Sequence, residues 1–234
     1  MEERKQSVRI QTSILNAAEK KVLVWIANRL PEWVSSDMMT WLGVVGAVLC
    51  GLGFALTNYS IYWLWLSIFG LFFNWFGDSL DGTIARVRNQ QRPLYGYYLD
   101  HNVDVICEFF VFVGIGLSPL LHLSIALLAY TAYLGLTVYV SINAHLKDEF
   151  KLTYGKMGPT ELRLIIMIVC LLFMYIPALT AFHGSIQVFD KTYEYGLFDI
   201  IGLVIWFLLA VIYLHSFIQD AVWFAKKDPL KKHE

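Results

Sequence analysis

Four carboxylates stand where two membrane-length apolar runs meet, and this junction constrains the fold more than any other stretch. Asp78 and Asp81 are three residues apart, and Asp100 and Asp104 are four apart. Each pair therefore falls on one face of its own helix. The run before Asp78 is almost wholly apolar, and so is the run after Asp104 apart from Glu108. Acids at membrane depth are costly and mark a functional site. Clustered like charges also repel, so something positive must sit among them. No cysteine and only one histidine, His101, lie within 78–104. That donor set selects a hard cation with oxygen ligands: Mg²⁺, Mn²⁺ or Ca²⁺.

Composition places these acids in a membrane protein. The chain is 57% hydrophobic and 16% charged, against roughly a quarter charged in soluble proteins. A net charge of −1 gives no pull toward nucleic acid, and none is expected as a partner. Cys50, Cys107 and Cys170 all fall inside apolar runs, so neither a disulfide framework nor a metal spacing is indicated. The first long apolar run begins only near Met38, and no cleavable signal peptide is expected.

Residues from about 7 to 30 carry one apolar stripe (Ile10, Ile14, Ala18, Leu23, Ile26, Leu30) with Arg9, Lys20, Lys21 and Arg29 between. The pattern predicts an amphipathic helix, lying in the interface or packed on the cytoplasmic ends of the other segments. Six apolar spans follow, at about 38–57, 60–76, 103–117, 121–142, 162–182 and 197–217. Most approach the roughly 20 residues that cross a bilayer. The third is short as written and should start earlier, with Asp100 and Asp104 on its helix. The linkers are short, so the expectation is one all-α integral membrane domain over 1–234: six transmembrane helices plus the amphipathic one. Seventeen of the eighteen basic residues fall on one side of this arrangement, and only Lys191 falls on the other. By the positive-inside rule, both termini and the acid cluster face the cytoplasm.

The stretch 78–104 resembles the signature of the CDP-alcohol phosphotransferase (phosphatidyltransferase) family. Asp78, Asp81, Gly82, Ala85, Arg86, Gly96, Asp100 and Asp104 fill all eight of its fixed positions, with nine residues between Arg86 and Gly96. The resemblance implies transfer of a phosphate-linked alcohol from a CDP-alcohol to an acceptor alcohol, with release of CMP. It implies two divalent ions, Mg²⁺ or Mn²⁺, with Asp78, Asp81 and Asp100 as ligands. Asp104 would approach the second ion and act as general base on the acceptor hydroxyl. Nucleotide contacts are implied for Gly82, Ala85, Arg86, Gly96 and Thr40, and a homodimer in the lipid bilayer is the implied assembly. Gly82 and Ala85 read equally as plain helix packing taken alone. Arg86 supplies a cation suited to phosphate, whereas Arg88 and Arg92 read as ordinary loop charges. Many relatives carry Pro-Asn before the first span, where this chain has Ser36-Asp37 and keeps only Thr40. Asn74 reads as the donor of an internal hydrogen bond.

Two features bear on the alcohol. His101 directly follows Asp100, a pattern that resembles the choline and ethanolamine phosphotransferase branch, where this histidine is a candidate catalytic base. That branch has Glu just after the signature Gly, and this chain has Tyr97. The runs 137–141 and 158–161 also resemble that branch, and Glu161 is a candidate substrate contact. Glu108 extends the Asp100–Asp104 stripe by one turn. It is read either as a buried carboxylate paired with Asn143 or Arg163, or as a contact to the acceptor or a cationic head group. The end of the fourth span, Ser141-Ile142-Asn143, lacks a cation that would hold an acceptor phosphate. The reading leans to CDP-choline or CDP-ethanolamine with diacylglycerol. The alternative is CDP-diacylglycerol with a neutral polar alcohol such as inositol or serine. A remote alternative from another class is a small cation transporter using the acids as an ion pathway.

Overall fold

The structure is a computed structural model that describes residues 8–10, 15–147, 149–151 and 159–230. Its elements in chain order are β1 (Val8–Ile10), α1 (Asn16–Ala27), α2 (Ser36–Leu56), α3 (Leu64–Val87), α4 (Pro93–Gly116), α5 (Leu123–Lys147), β2 (Glu149–Lys151), α6 (Pro159–Tyr175), α7 (Pro177–Thr180), β3 (His183–Val188), β4 (Lys191–Gly196) and α8 (Leu197–Lys227). A 3₁₀ turn, Ile61–Trp63, leads into α3.

Three of these helices, α2, α5 and α8, are long and apolar enough to cross a membrane by length and composition. The other apolar runs also become helix, but each is marked. Helices α3 and α4 have 24 residues each and carry the signature acids. Helix α6 has 17 residues and ends where Pro177 begins the short α7. A proline lacks the N–H and crowds the preceding turn, so the run 162–182 breaks there. As its acids require, the third apolar run starts early: α4 begins at Pro93, with the proline in the first turn, where its missing N–H costs nothing.

Two expectations need correction. The described chain is mostly helical but not all-α: β3 and β4 form an antiparallel hairpin pairing His183 with Gly196 and Val188 with Lys191. Ile186, Thr192, Tyr193 and Tyr195 favour a pleated surface, and Phe189 at the turn takes the left-handed backbone (φ 54°). The N-terminal helix is also shorter than 7–30. It starts at Asn16, and Val8–Ile10 instead pair in parallel with Glu149–Lys151. Helical periodicity there was competing with a strand partner far away in the chain.

Small residues bring α2 against its neighbours. A Cβ on Gly46 would lie 2.3 Å from the Asn74 nitrogen, and one on Gly51 would lie 2.3 Å from the Phe110 oxygen. Backbone therefore touches backbone where α2 meets α3 and α4, the close packing that membrane helices use in place of a hydrophobic drive. Two buried polar bonds lock the contact: Ser67 Oγ donates to Cys50 O at 3.0 Å, and Asn74 Nδ2 donates to Gly43 O at 3.1 Å. Asn74 thus makes the internal bond read from the sequence. A core of Cys50, Phe54, Leu64, Ala126, Cys170 and Phe173 ties α5 and α6 to this pair.

Helix α1 docks on the far end of α3. Leu23 and Ala27 pack with Val34, Leu80 and Ile84, while Val22 and Trp25 stay exposed. Arg88 clamps the chain that leaves α1. It donates to the carbonyls of Val34 at 2.6 Å and of Leu30 and Pro31 at 3.0 Å. Arg92 pairs with Asp37. Both arginines hold the acid-bearing end of the bundle together, a role that counting loop charges does not reveal.

Candidate active site

Asp78 and Asp81 project from the last turns of α3, and Asp100 and Asp104 from the first half of α4. Packing of both helices on α2 sets their acid-bearing ends side by side. One carboxylate oxygen each from Asp78, Asp100 and Asp104 lies within 4.8 Å of the others. All three residues are half-buried. Three hard oxygen donors at this spacing, with no sulfur among them, suit a divalent cation that keeps some water.

Asp81 is not part of that trio. Its Oδ2 accepts from Thr40 Oγ1 at 2.8 Å, its Oδ1 takes the Gly82 N–H, and its carbonyl accepts from Ser36 Oγ at 2.8 Å. Thr40 of α2 therefore turns the Asp81 carboxylate toward α2, while Ser36 holds the Asp81 backbone.

The positive species among the acids is Arg163. From the start of α6, its Nη2 lies 2.9 Å from Asp78 Oδ2. The sequence reading offered Arg163 only as a partner for Glu108. The signal that could have found it was the need for a cation among four acids, together with a basic residue at the head of a neighbouring apolar run. Among the described residues Glu108 bonds elsewhere: its Oε1 accepts from Thr137 Oγ1 at 3.3 Å, and its buried Oε2 has no hydrogen-bond partner. Asn143 serves Asp220 instead.

The remaining candidate residues scatter around this centre. Arg86 is exposed on the last turn of α3 and donates to Thr83 Oγ1 at 3.0 Å. Its guanidinium lies 3.1 Å from where a Cβ on Gly82 would stand, so the bare face of Gly82 is the floor beneath it. Ala85 is half-buried beside it, and Gly96 faces open space. His101 lies 4.0 Å from Asp100 through Nδ1, which also sits 3.0 Å from the Tyr97 carbonyl, and its ring lies on the Tyr97 ring at 4.1 Å. With Asn102, Thr137, Ser141 and His145 it lines an open groove between α4 and α5. Glu161 sits apart from the trio on the first turn of α6, where its Oε1 accepts from the Leu15 N–H at 3.0 Å.

Three helices long and apolar enough to cross a membrane, with a carboxylate trio on two others that could hold a metal ion, are the arrangement of a membrane protein with a candidate cation site. The chain belongs to the CDP-alcohol phosphatidyltransferase family, whose model matches residues 33–211. The members of this family are transferases of substituted phosphate groups. The chain is similar to cholinephosphotransferase 1 of Gallus gallus, with 27% identity over 190 residues, 77% of this chain and 54% of the relative. It is similar to the Homo sapiens cholinephosphotransferase 1, at 26% over 166 residues, 68% of this chain and 41% of the relative. A shorter match is to phosphatidylinositol phosphate synthase of Cutibacterium acnes, at 35% over 98 residues, 42% of this chain and 45% of the relative. The chain thus spans about half the length of the relatives it matches. Family membership leaves the cation-transporter alternative without support.

Proposed function

We propose that this chain transfers a phosphate-linked alcohol from a CDP-alcohol to an acceptor alcohol and releases CMP, with CDP-choline or CDP-ethanolamine as donor and diacylglycerol as acceptor. The observation that carries the reading is the Asp78–Asp100–Asp104 trio inside the family match. The cholinephosphotransferase relatives and the Asp100-His101 pair favour the aminoalcohol donor.

Asp78, Asp100 and Asp104 would hold the divalent cation, Mg²⁺ or Mn²⁺, with Asp81 completing a two-ion site if its carboxylate leaves Thr40. Bound there, the cation supplies neutralisation of the donor pyrophosphate and of charge developing on CMP. Thr40, Gly82, Ala85, Arg86 and Gly96 are proposed to contact the nucleotide. Arg86 places an exposed guanidinium over the bare face of Gly82, suited to a phosphate. Asp104 takes the proton from the acceptor hydroxyl. The hydroxyl oxygen attacks the phosphorus that bears the alcohol, and the bond from that phosphorus to CMP breaks. Asp104 lies one turn from Asp100 on the same face, so a base and a ligand reach the same phosphate. Glu108 and Glu161 are proposed as acceptor or head-group contacts. The unpartnered Glu108 oxygen supports the first.

A second reading, CDP-diacylglycerol with a small polar alcohol such as inositol or serine, is favoured by the phosphatidylinositol phosphate synthase match. Lipid mass spectrometry separates the two. Purified protein with Mg²⁺ is offered a panel of CDP-alcohols and acceptors, and phosphatidylcholine or phosphatidylethanolamine is the expected product. A product formed only from CDP-diacylglycerol overturns the first reading, and full turnover in excess EDTA overturns the metal.

The protein is further proposed to be one six-span domain, homodimeric, with both termini and the site on the cytoplasmic side and α1 lying in the interface. The basic-residue asymmetry supports the sidedness, and the exposed Val22 and Trp25 support the interfacial helix. Cysteines placed at Gln90 and Gln187 should label from opposite faces with an impermeant reagent. Labelling from one face sinks the span count.

A further inference from the structure

Arg163 does more than relieve repulsion, because the carboxylate it holds belongs to the proposed metal-ligand set. Asp78 contributes an oxygen to the carboxylate trio, and its Oδ2 is already paired with Arg163 at 2.9 Å. A guanidinium and a divalent cation at one carboxylate repel each other strongly at that separation in a half-buried setting.

The placement of Arg163 is built in. The first turn of α6 is tied down by Glu19 of α1, whose carboxylate accepts from Thr160 Oγ1 at 3.0 and 3.1 Å. The same carboxylate accepts from Trp75 Nε1 at 2.8 Å and Ser79 Oγ at 3.2 Å. Trp75 and Ser79 flank Asp78 on α3, so one half-buried acid fixes the head of α6 beside the site. The Arg163 side chain is only 18% exposed and cannot drift off into water without leaving this pocket.

We propose that Arg163 is the counter-ion of the metal-free site, that a divalent cation displaces it from Asp78, and that the freed guanidinium then takes a phosphate oxygen of the CDP-alcohol. The inference rests on the reading of Asp78, Asp100 and Asp104 as metal ligands. A planar, permanently charged fork can exchange a carboxylate for a phosphate without changing its own protonation. The exchange keeps the acids compensated when no metal is present and turns metal binding into preparation for the donor.

Binding of Mn²⁺ to the full-length protein in detergent, followed by the electron paramagnetic resonance of free Mn²⁺, tests this without turnover. Arg163→Gln should bind Mn²⁺ at least about tenfold more tightly, because a competing charge is gone. Arg163→Lys keeps the charge and should stay near the unaltered chain, and Asp78→Asn should bind more weakly. Equal affinity in Arg163→Gln and the unaltered chain overturns the exchange while Asp78→Asn still reports on the metal site. If the unaltered chain and Asp78→Asn bind Mn²⁺ equally, the metal reading and the exchange fall together. At saturating Mn²⁺, CDP-choline should bind Arg163→Gln at least about tenfold more weakly. Unchanged donor affinity overturns the handover to phosphate. The unaltered chain gives an independent readout should Arg163→Gln not fold. Phenylglyoxal modification of Arg163, read by peptide mass spectrometry, should speed up on adding Mn²⁺ and slow again with CDP-choline. A rate indifferent to Mn²⁺ overturns the proposal.

Discussion

Two groups of acids, the buried Asp199 and the half-buried Asp78–Asp100–Asp104 trio, meet the cost of carboxylates inside a helical bundle in opposite ways. Asp199, at the start of α8, is 2% exposed and fully satisfied. Its Oδ1 accepts from the His122 N–H at 2.8 Å and lies 2.9 Å from His122 Nδ1, and its Oδ2 accepts from the Gly196 N–H at 2.8 Å. It caps α8 and ties the α4–α5 connection to the end of the hairpin. The trio collects three carboxylates around one guanidinium, with the Asp78 and Asp100 side chains 32% and 48% exposed. A carboxylate ringed by donors is a structural fastener. Half-exposed carboxylates gathered beside one guanidinium are the ones proposed to take a cation. Exposure separates the two, and so does the gathering of like charges at the trio.

The contrast predicts opposite mutational signatures. Asp78→Asn or Asp100→Asn should drop CMP release to background. Asp100→Asn should leave thermal stability unchanged or raised, since a like charge is removed, whereas Asp78→Asn takes the carboxylate partner from Arg163 and should lower it. A lower melting temperature in Asp100→Asn would break the distinction. Asp104→Asn should lose at least roughly 10²-fold in turnover with CDP-alcohol binding largely kept, the scale of general-base assistance. His101→Ala should cost less, because His101 is turned about 100° from Asp100 on the helix and toward the α4–α5 groove. Calorimetric titration of the donor beside steady-state CMP release measures both, and a dead His101→Ala with an active Asp104→Asn reverses the roles. At the other end, Asp199→Ala should cost roughly 3 kcal/mol of stability by orphaning its donors. At low temperature it should leave turnover close to that of the unaltered chain, and a loss of activity in a folded Asp199→Ala would tie the two ends together.

Much of the site was legible because a helix is a local object. The spacings of Asp78 and Asp81 and of Asp100 and Asp104 assign each pair to one face whatever the rest of the chain does. Apolar runs longer than a turn or two likewise announce helices, and all six became helical. What local pattern could not show is where a helix stops for the sake of a distant partner. The N-terminal stripe predicted helix from about residue 7, yet Val8–Ile10 pair with Glu149–Lys151. The β3–β4 hairpin follows a span whose sequence reading ended at 182.

By itself the sequence determined the membrane class, the donor chemistry of hard oxygens and the grouping of acids by helix face, because composition and the 3.6-residue period act residue by residue. Only the tertiary structure decided how those acids divide. Thr40 and Ser36 of α2 draw Asp81 to one side, and Glu19, through Thr160, sets α6 so that Arg163 reaches Asp78. These partners are separated in sequence by 41 residues for Thr40 and Asp81 and by 141 for Glu19 and Thr160. Such pairs meet only after backbone-to-backbone packing at Gly46 and Gly51 has brought α2, α3 and α4 together, and no periodicity in the chain encodes which of them will meet.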